Sequence, residues 1–492
     1  MARERSKFSF MRRFRQASAA VLALCALTTL CLFPATVQAE TPWVEIKSPH
    51  FSILTDGSER QGRDVALRFE QMRSVFSQLF VKSTASQPVP LQVIALRNDR
   101  EISQYAPLYQ GKPVRIVGFY LQNQDKNYIL LDLGANNLWE TVFHEYSHCL
   151  LDSLSPDLPV WFTEGFAEFY STMQVANREA TIGRPPESVL GVLKSEKLLP
   201  VSKLMDVDRK SAIYNNEGAR AIFYAESWLL VHYLLDNHRM AGAEQYFELR
   251  RQHIPINLAI QRAFEMDPRD LDAALEKYLR AGPEFTHVKL PEDREKIDLA
   301  AGSVAGLNAS AILADVHSHQ PDYRRRSIGE FEEILRRDPD NTTAHRGLGY
   351  ALYSEHQPDA AIPHLQKAAA QSPEDWLIHY YWAALMAQKQ DDNLAPQVER
   401  EARLVTRLNP EMADGHALLG FALMTQRRTP EAASAYELAL QLNPASDIYA
   451  INLAELYTLQ GKTAQAHALF LSLQYSDNPT VAMAARSHLD LN

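Results

Sequence analysis

Four residue-proline pairs punctuate the last third of the chain at nearly even intervals, and this restricts its folding more than any other feature. Asp338-Pro339, Ser372-Pro373, Asn409-Pro410 and Asn443-Pro444 each close a helical stretch, and the prolines lie 34, 37 and 34 residues apart. Proline cannot continue a helix, and the residue before it is pushed out of the α region. Helices interrupted on this period cannot form a bundle of long rods. They form short pairs that bury their apolar faces only by stacking on the next pair. Small and large positions recur in step: Leu348, Gly349, Ala361, Leu365 and Ala368, then Leu419, Gly420, Ala432, Tyr436 and Ala439, then Leu453, Ala454, Tyr457, Ala466 and Phe470. The middle copy is looser, with about three extra residues near Lys389–Leu394.

This pattern resembles the tetratricopeptide repeat (TPR), with Leu-Gly in the first helix, Ala in the second and a closing Pro. The resemblance implies an all-α TPR solenoid over 306–492, with three to four repeats and a groove that holds a protein substrate or partner.

The residues ahead of the repeats follow other rules. Val44-Ile46, Phe51-Leu54, Leu91-Leu96, Val117-Leu121 and Tyr128-Leu131 read as strands, and Val65, Phe69, Met72, Val75, Phe76 and Leu79 recur at helical spacing. From Leu138 to about Leu279 helical periodicity takes over. The reading is an α+β domain over 43–280, a proline-bearing charged linker over 281–305, and then the repeats. A formal charge of −10 without a basic, aromatic-interleaved patch argues against a nucleic-acid partner.

The first 39 residues read as an export signal. Arg3, Arg5, Lys7, Arg12, Arg13 and Arg15 precede an apolar run from Ala17 to Phe33, and Val37-Gln38-Ala39 fits a cleavage site. The expectation is a periplasmic or secreted chain starting at Glu40. The alternative is an uncleaved anchor that brings membrane contact. Cleavage leaves one cysteine, Cys149, and so no internal disulfide.

The chemistry centres on His144-Glu145-Tyr146-Ser147-His148. Leu138, Val142, Phe143, Tyr146 and Leu150 give this segment a helical apolar stripe. Residues four apart on a helix share a face, so both imidazoles can reach one ion, and Glu145 can take a proton from water beside it. A second helix follows in Trp161-Phe162-Thr163-Glu164-Gly165-Phe166-Ala167-Glu168-Phe169. Catalytic zinc takes three protein ligands and keeps one position open, and His-His-Glu is a recurring set.

His-Glu-x-x-His followed by a helix with Glu-Gly-x-Ala resembles the gluzincin clan of metallopeptidases, and most closely its peptidase-MA-like members. The resemblance implies a zincin-like fold over 43–280 and one catalytic Zn2+ held by His144, His148 and Glu164, with Glu145 as general base. The spacer of fifteen residues between His148 and Glu164 is shorter than in the clan's zinc aminopeptidases. The plainer alternative is a histidine pair on a helix face with Glu164 as a salt-bridged acid.

The clan's oxyanion donor is often a tyrosine from a downstream helix. Tyr224 is the choice here, in Phe223-Tyr224-Ala225-Glu226-Ser227, with Tyr214 the alternative and His232 and His238 weaker ones. Glu168 stands open between a support for a ligand imidazole and a surface charge. Cys149 reads as a small buried residue. Zincins bind peptides as an added strand, and Gly118-Phe119-Tyr120-Leu121 is the candidate edge. No Gly-x-Met-Glu-Asn segment is present, which leans toward an endopeptidase over an aminopeptidase. The expected function is a zinc metallopeptidase of the cell envelope acting on protein or peptide. The rival is a TPR scaffold whose metal domain is inactive or very narrow.

Overall fold

In the computed structural model, residues 42–490 are described apart from 80–88, 124, 155–157, 177–178, 253, 291–296, 390 and 477. The expected export signal lies outside the described residues. Among the described residues no helix is long and apolar enough to cross a membrane.

The first half is built on a mixed six-stranded sheet. In chain order its elements are β1 (Trp43–Lys47), β2 (Ser52–Thr55), helix α1 (Glu59–Leu79), β3 (Leu91–Leu96), α2 (Asp99–Ile102), a small hairpin of β4 (Leu108–Tyr109) and β5 (Lys112–Pro113), β6 (Gly118–Leu121) and β7 (Asn127–Asp132). The inner strands β3 and β7 run parallel to each other, with Val93 opposite Ile129. They are buried on both faces, which is why they read as unbroken apolar runs rather than alternating ones. β6 returns antiparallel beside β7, Tyr120 opposite Ile129, and forms one edge of the sheet.

Helices carry the chain from there. α3 (Leu138–Leu154) and α4 (Val160–Ser171) are followed by β8 (Gln174–Ala176), β9 (Glu179–Ile182), α5 (Glu187–Ser195), α6 (Val201–Leu204), α7 (Ala212–Asn215), α8 (Glu217–Asp236), α9 (Met240–Arg251), α10 (Ile256–Phe264) and α11 (Pro268–Ala281). One core joins α1, α3 and the near face of the sheet, where Phe69, Met72 and Phe76 meet Ile53, Val93, Ile129, Val142 and Tyr146.

The stretch read as a bare linker is partly structured. β10 (Thr286–Lys289) pairs with β9 and completes a separate three-stranded sheet. β11 (Ala300–Val304) pairs with β1, Trp43 opposite Val304, and forms the second edge of the main sheet. Pairing decides here against local propensity, since Ala-Ala-Gly-Ser-Val is a poor strand former on its own.

The repeats follow as helix pairs: α12 (Gly306–Ser318) with α13 (Arg324–Arg337), α14 (Thr342–Ser354) with α15 (Pro358–Gln371), α16 (Trp376–Gln388) with α17 (Ala395–Leu408), α18 (Ala413–Thr425) with α19 (Thr429–Leu442), and α20 (Asp447–Leu459) with α21 (Thr463–Leu473), before a last helix α22 (Pro479–Asp490). The extra residues of the middle repeat form a short 3-10 turn at Asp392–Leu394. The small position of each Leu-Gly has a steric reason. A Cβ on Gly349 would meet Leu365 at 2.5 Å, and one on Gly420 would meet Tyr436 at 2.7 Å, so the paired helices approach too closely for any side chain.

α12 belongs to both halves. Its Ile312, Leu313 and Val316 cover the far face of the sheet against Ile94, Leu96, Phe119, Tyr128 and Leu130. The solenoid is therefore not tethered by a loop. Its first helix supplies the second layer over the sheet.

Candidate metal centre

Two helices bring the three expected ligands together. α3 lies against β6 and β7, and α4 packs on α3 on one side and on α8 on the other. His144 and His148 project from one face of α3, their Nε2 atoms 3.2 Å apart. Glu164 comes from the second turn of α4, and its Oε2 is 3.6 Å from each of those nitrogens. One ligand atom from each of the three residues lies within 4.8 Å of the others.

Gly165 permits this approach. A Cβ there would sit 2.2 Å from the Ser227 carbonyl oxygen and 2.8 Å from Val231, so α4 and α8 touch backbone to backbone one residue from Glu164. The Glu-Gly pair is thus a carboxylate beside the contact that fixes its depth.

Glu164 is 4% exposed, and its Oε2 has no hydrogen-bond partner among the described residues. A buried acceptor left in that state costs about 1–3 kcal/mol, and more when charged. Its other oxygen, Oε1, accepts from the Tyr214 hydroxyl at 3.2 Å. Glu168, one turn along, places Oε1 3.6 Å from His144 Nδ1, the far side of that ring from Glu164. This is where an acceptor that orients a ligand imidazole stands.

The charges agree. Burial alone would raise the Glu164 carboxyl, yet the two facing imidazoles hold it well below the usual carboxylate range. Burial would lower His144, but Glu164, Glu168 and Glu145 lift it to about 9. Glu145 and Glu168 are themselves raised, by burial first. Three carboxylates crowd two imidazoles, and a proton on His144 offsets part of that charge, which a metal ion would displace on binding. Once deprotonated, the two imidazoles and one buried carboxylate oxygen form a donor set suited to zinc. These residues fit a divalent ion.

Glu145 points to the sheet. Its Oε2 accepts from the Tyr120 backbone amide of the edge strand at 2.7 Å. This contact was invisible in the sequence, because nothing in a run such as Gly-Phe-Tyr-Leu marks which amide a helix carboxylate will meet. The two tyrosines are adjacent: Tyr224 lies nearly parallel to the His144 ring, centroids 6.4 Å apart, and Tyr214 lies 6.3 Å from Tyr224. Burial, and after it the charge of Glu164, pushes both phenols up, so each stays a neutral donor. His232 is spent elsewhere, with Nδ1 at 2.7 Å from the Tyr278 hydroxyl and Nε2 at 3.1 Å from the Gly183 carbonyl. Cys149 packs in the core.

A family model for the tetratricopeptide repeat matches residues 324–375 and 417–479. The last part of the chain is a TPR solenoid. Among solved structures, TPR-region likenesses include MamA 41-end from Desulfovibrio magneticus RS-1, at 15% identity and TM-score 0.31, covering 37% of this chain and 97% of that one. They also include a Pseudomonas aeruginosa pilF structure, at 16% identity and TM-score 0.33, covering 38% of this chain and 86% of that one. A third is YrrB, described as a TPR protein with an unusual peptide-binding site, at 16% identity and TM-score 0.32, covering 37% of this chain and 90% of that one. A second family model, described as a protein of unknown function (DUF1570), matches 139–257, the segment that carries His144, His148, Glu164, Tyr214 and Tyr224. That description assigns no activity. No curated protein sequence matches closely enough to stand as a relative.

Proposed function

We propose that this chain is an exported zinc-dependent metallopeptidase of zincin-like fold and gluzincin type, acting on protein or peptide substrates, with its TPR solenoid serving a substrate or partner. The observation that carries the reading is the buried Glu164 Oε2, without a hydrogen-bond partner among the described residues and 3.6 Å from both imidazole Nε2 atoms. His144, His148 and Glu164 would hold the ion, which when bound supplies Lewis acidity toward a carbonyl and toward water.

The chain's own groups supply the rest. An extended substrate strand adds to the sheet at β6, where backbone pairing fixes its direction whatever its side chains. Glu145, oriented by the Tyr120 amide, takes a proton from the attacking water and delivers it to the leaving amine. Tyr224, beside His144, donates to the oxyanion that forms at the carbonyl, while Tyr214 is engaged by Glu164.

A second reading has its own support. The repeats are the part of the chain with a named family, and Glu145 is already hydrogen-bonded. A TPR scaffold of an envelope assembly with an inert or very narrow metal domain fits both.

Metal analysis and turnover separate the two readings. The purified chain should carry about one zinc and cleave an unfolded protein. Glu145→Gln should keep the zinc and lose turnover by several orders of magnitude, whereas Glu164→Gln should lose the zinc first. A chain that retains zinc but cleaves nothing supports the scaffold, and a chain that binds no zinc refutes the metal centre.

A further inference from the structure

Between β6 and β7 the chain makes a tight polar turn. Asn123 Nδ2 donates to the Lys126 carbonyl at 3.0 Å, and the Asn123 amide donates to Asn127 Oδ1 at 2.8 Å. The side chains of Asp125 and Lys126 point into the repeats, and both are buried. Asp125 Oδ2 accepts from the Tyr381 hydroxyl at 2.5 Å and lies 3.2 Å from His319 Nε2. Lys126 Nζ donates to Asp315 Oδ2 at 3.1 Å, and the Tyr128 hydroxyl donates to the same oxygen at 2.8 Å. Arg346 lies 3.5 Å from Asp315 and 2.8 Å from Asp375. The Tyr350 ring stacks on His319 with centroids 4.2 Å apart.

These partners belong to the first helices of successive repeats: Asp315 on α12 with His319 at its end, Arg346 and Tyr350 on α14, and Tyr381 on α16. Such helices form one row along a solenoid, the row that ordinarily receives an extended ligand. Here its start receives a turn of the same chain.

The geometry points to the first repeats as the receptor for the Asp125-Lys126 turn, so that the solenoid positions the β6 edge strand over the candidate metal centre. The turn begins at the residue after β6, and the Tyr120 amide that holds Glu145 is only five residues before Asp125. Asp125, His319 and Tyr381 are on this view positioning residues. The ionic character of the clamp follows from its surroundings. Burial would raise Asp125 and Asp315, yet His319 holds the first down and Lys126 the second. Burial would lower His319, yet Asp125 and Asp315 lift it. Burial draws Lys126 down despite Asp315, so the clamp rests on its hydrogen-bonded geometry as well as on its charges. Farther along the row, Tyr380 and Tyr449 both donate to Asp414.

The inference builds on the metallopeptidase reading for its purpose but can be tested without it. Hydrogen exchange is followed by mass spectrometry in the full chain and in Tyr381→Phe and Asp125→Asn. Tyr381→Phe keeps the ring and removes only the hydroxyl, so it decides the matter if Asp125→Asn fails to fold. The expected result is exchange about tenfold faster at Phe119–Leu121, with α18–α20 and zinc content unchanged. If the chain turns over a peptide, KM should rise more than kcat falls. Parent-like exchange in β6 for a folded variant overturns the proposal, whether or not the chain binds zinc. Faster exchange confined to the repeats also overturns it, because the clamp would then brace the solenoid alone.

Discussion

Gly165→Ala isolates the contact that sets the depth of Glu164. The new methyl carbon would lie 2.2 Å from the Ser227 oxygen, where ordinary contact begins near 3.4 Å. The neighbour is helix backbone, which cannot rotate away, so α4 and α8 must separate by roughly 1 Å. Overpacking of this kind costs about 3 kcal/mol at the upper end of its usual range. Alanine returns about 1 kcal/mol through its better helix propensity. The net loss is then about 2 kcal/mol, or a melting temperature about 4–8 °C lower. Gly191→Ala is the control. Gly191 lies inside α5, where a Cβ meets nothing within 4 Å, so the variant should match or exceed the parent's stability. Denaturant melts give the stability, and zinc titration should show weaker binding in Gly165→Ala only, because its Glu164 has moved. If both variants melt alike and bind zinc alike, the helices are not packed as described and the argument for Glu-Gly fails.

Tyr214→Phe should weaken zinc retention, since it frees Glu164 Oε1, whereas Tyr224→Phe should keep the ion and lower turnover about 100-fold. The reverse pattern, read by metal analysis and kinetics, would exchange the two roles. Glu226→Gln addresses pH. Burial pushes Glu226 up to about 8 while its Oε2 accepts from the Leu199 amide at 2.7 Å, a bond that Gln can keep. A carboxyl raised on folding leaves stability whole below its unfolded range and drains it as the pH rises through about 8. The variant should therefore melt with the parent at pH 4 and above it at pH 9, by a few kcal/mol at most. Identical differences at the two pH values would refute the assignment.

The sequence disclosed what local pattern encodes. α1, α3, β3 and β7 lie where apolar spacing put them, because each buries a face whose period is written in its own residues. The histidines and Glu164 were legible as a motif, and the structure brings their ligand atoms together, though Gly165 was legible only as a match and not as a steric demand. What escaped depends on partners far away in the chain. β11 is a strand because β1 accepts it, and Gln174–Ala176 and Thr286–Lys289 are strands because they bracket β9. Asp315, His317 and His319 would each pass for solvated polar residues at a helix end. Only the fold shows that they are buried against the turn after β6 and the segment near Tyr105.

The position of β11 and α12 has a consequence for biosynthesis. β1 is among the first described residues to leave the ribosome, yet its outer neighbour lies about 260 residues downstream, at Val304. Until α12 emerges, the face formed by Ile94, Leu96, Phe119, Tyr128 and Leu130 has no cover. The whole first half is therefore translated before that strand edge is paired and that apolar face is covered. Both are the surfaces on which chains associate wrongly. Contacts of such sequence separation also slow folding, since the loop must close before they can form. The repeats that follow are local and fold pair by pair. The part of the chain that carries the histidines thus matures late, and only once the start of its own repeat domain has arrived to complete it.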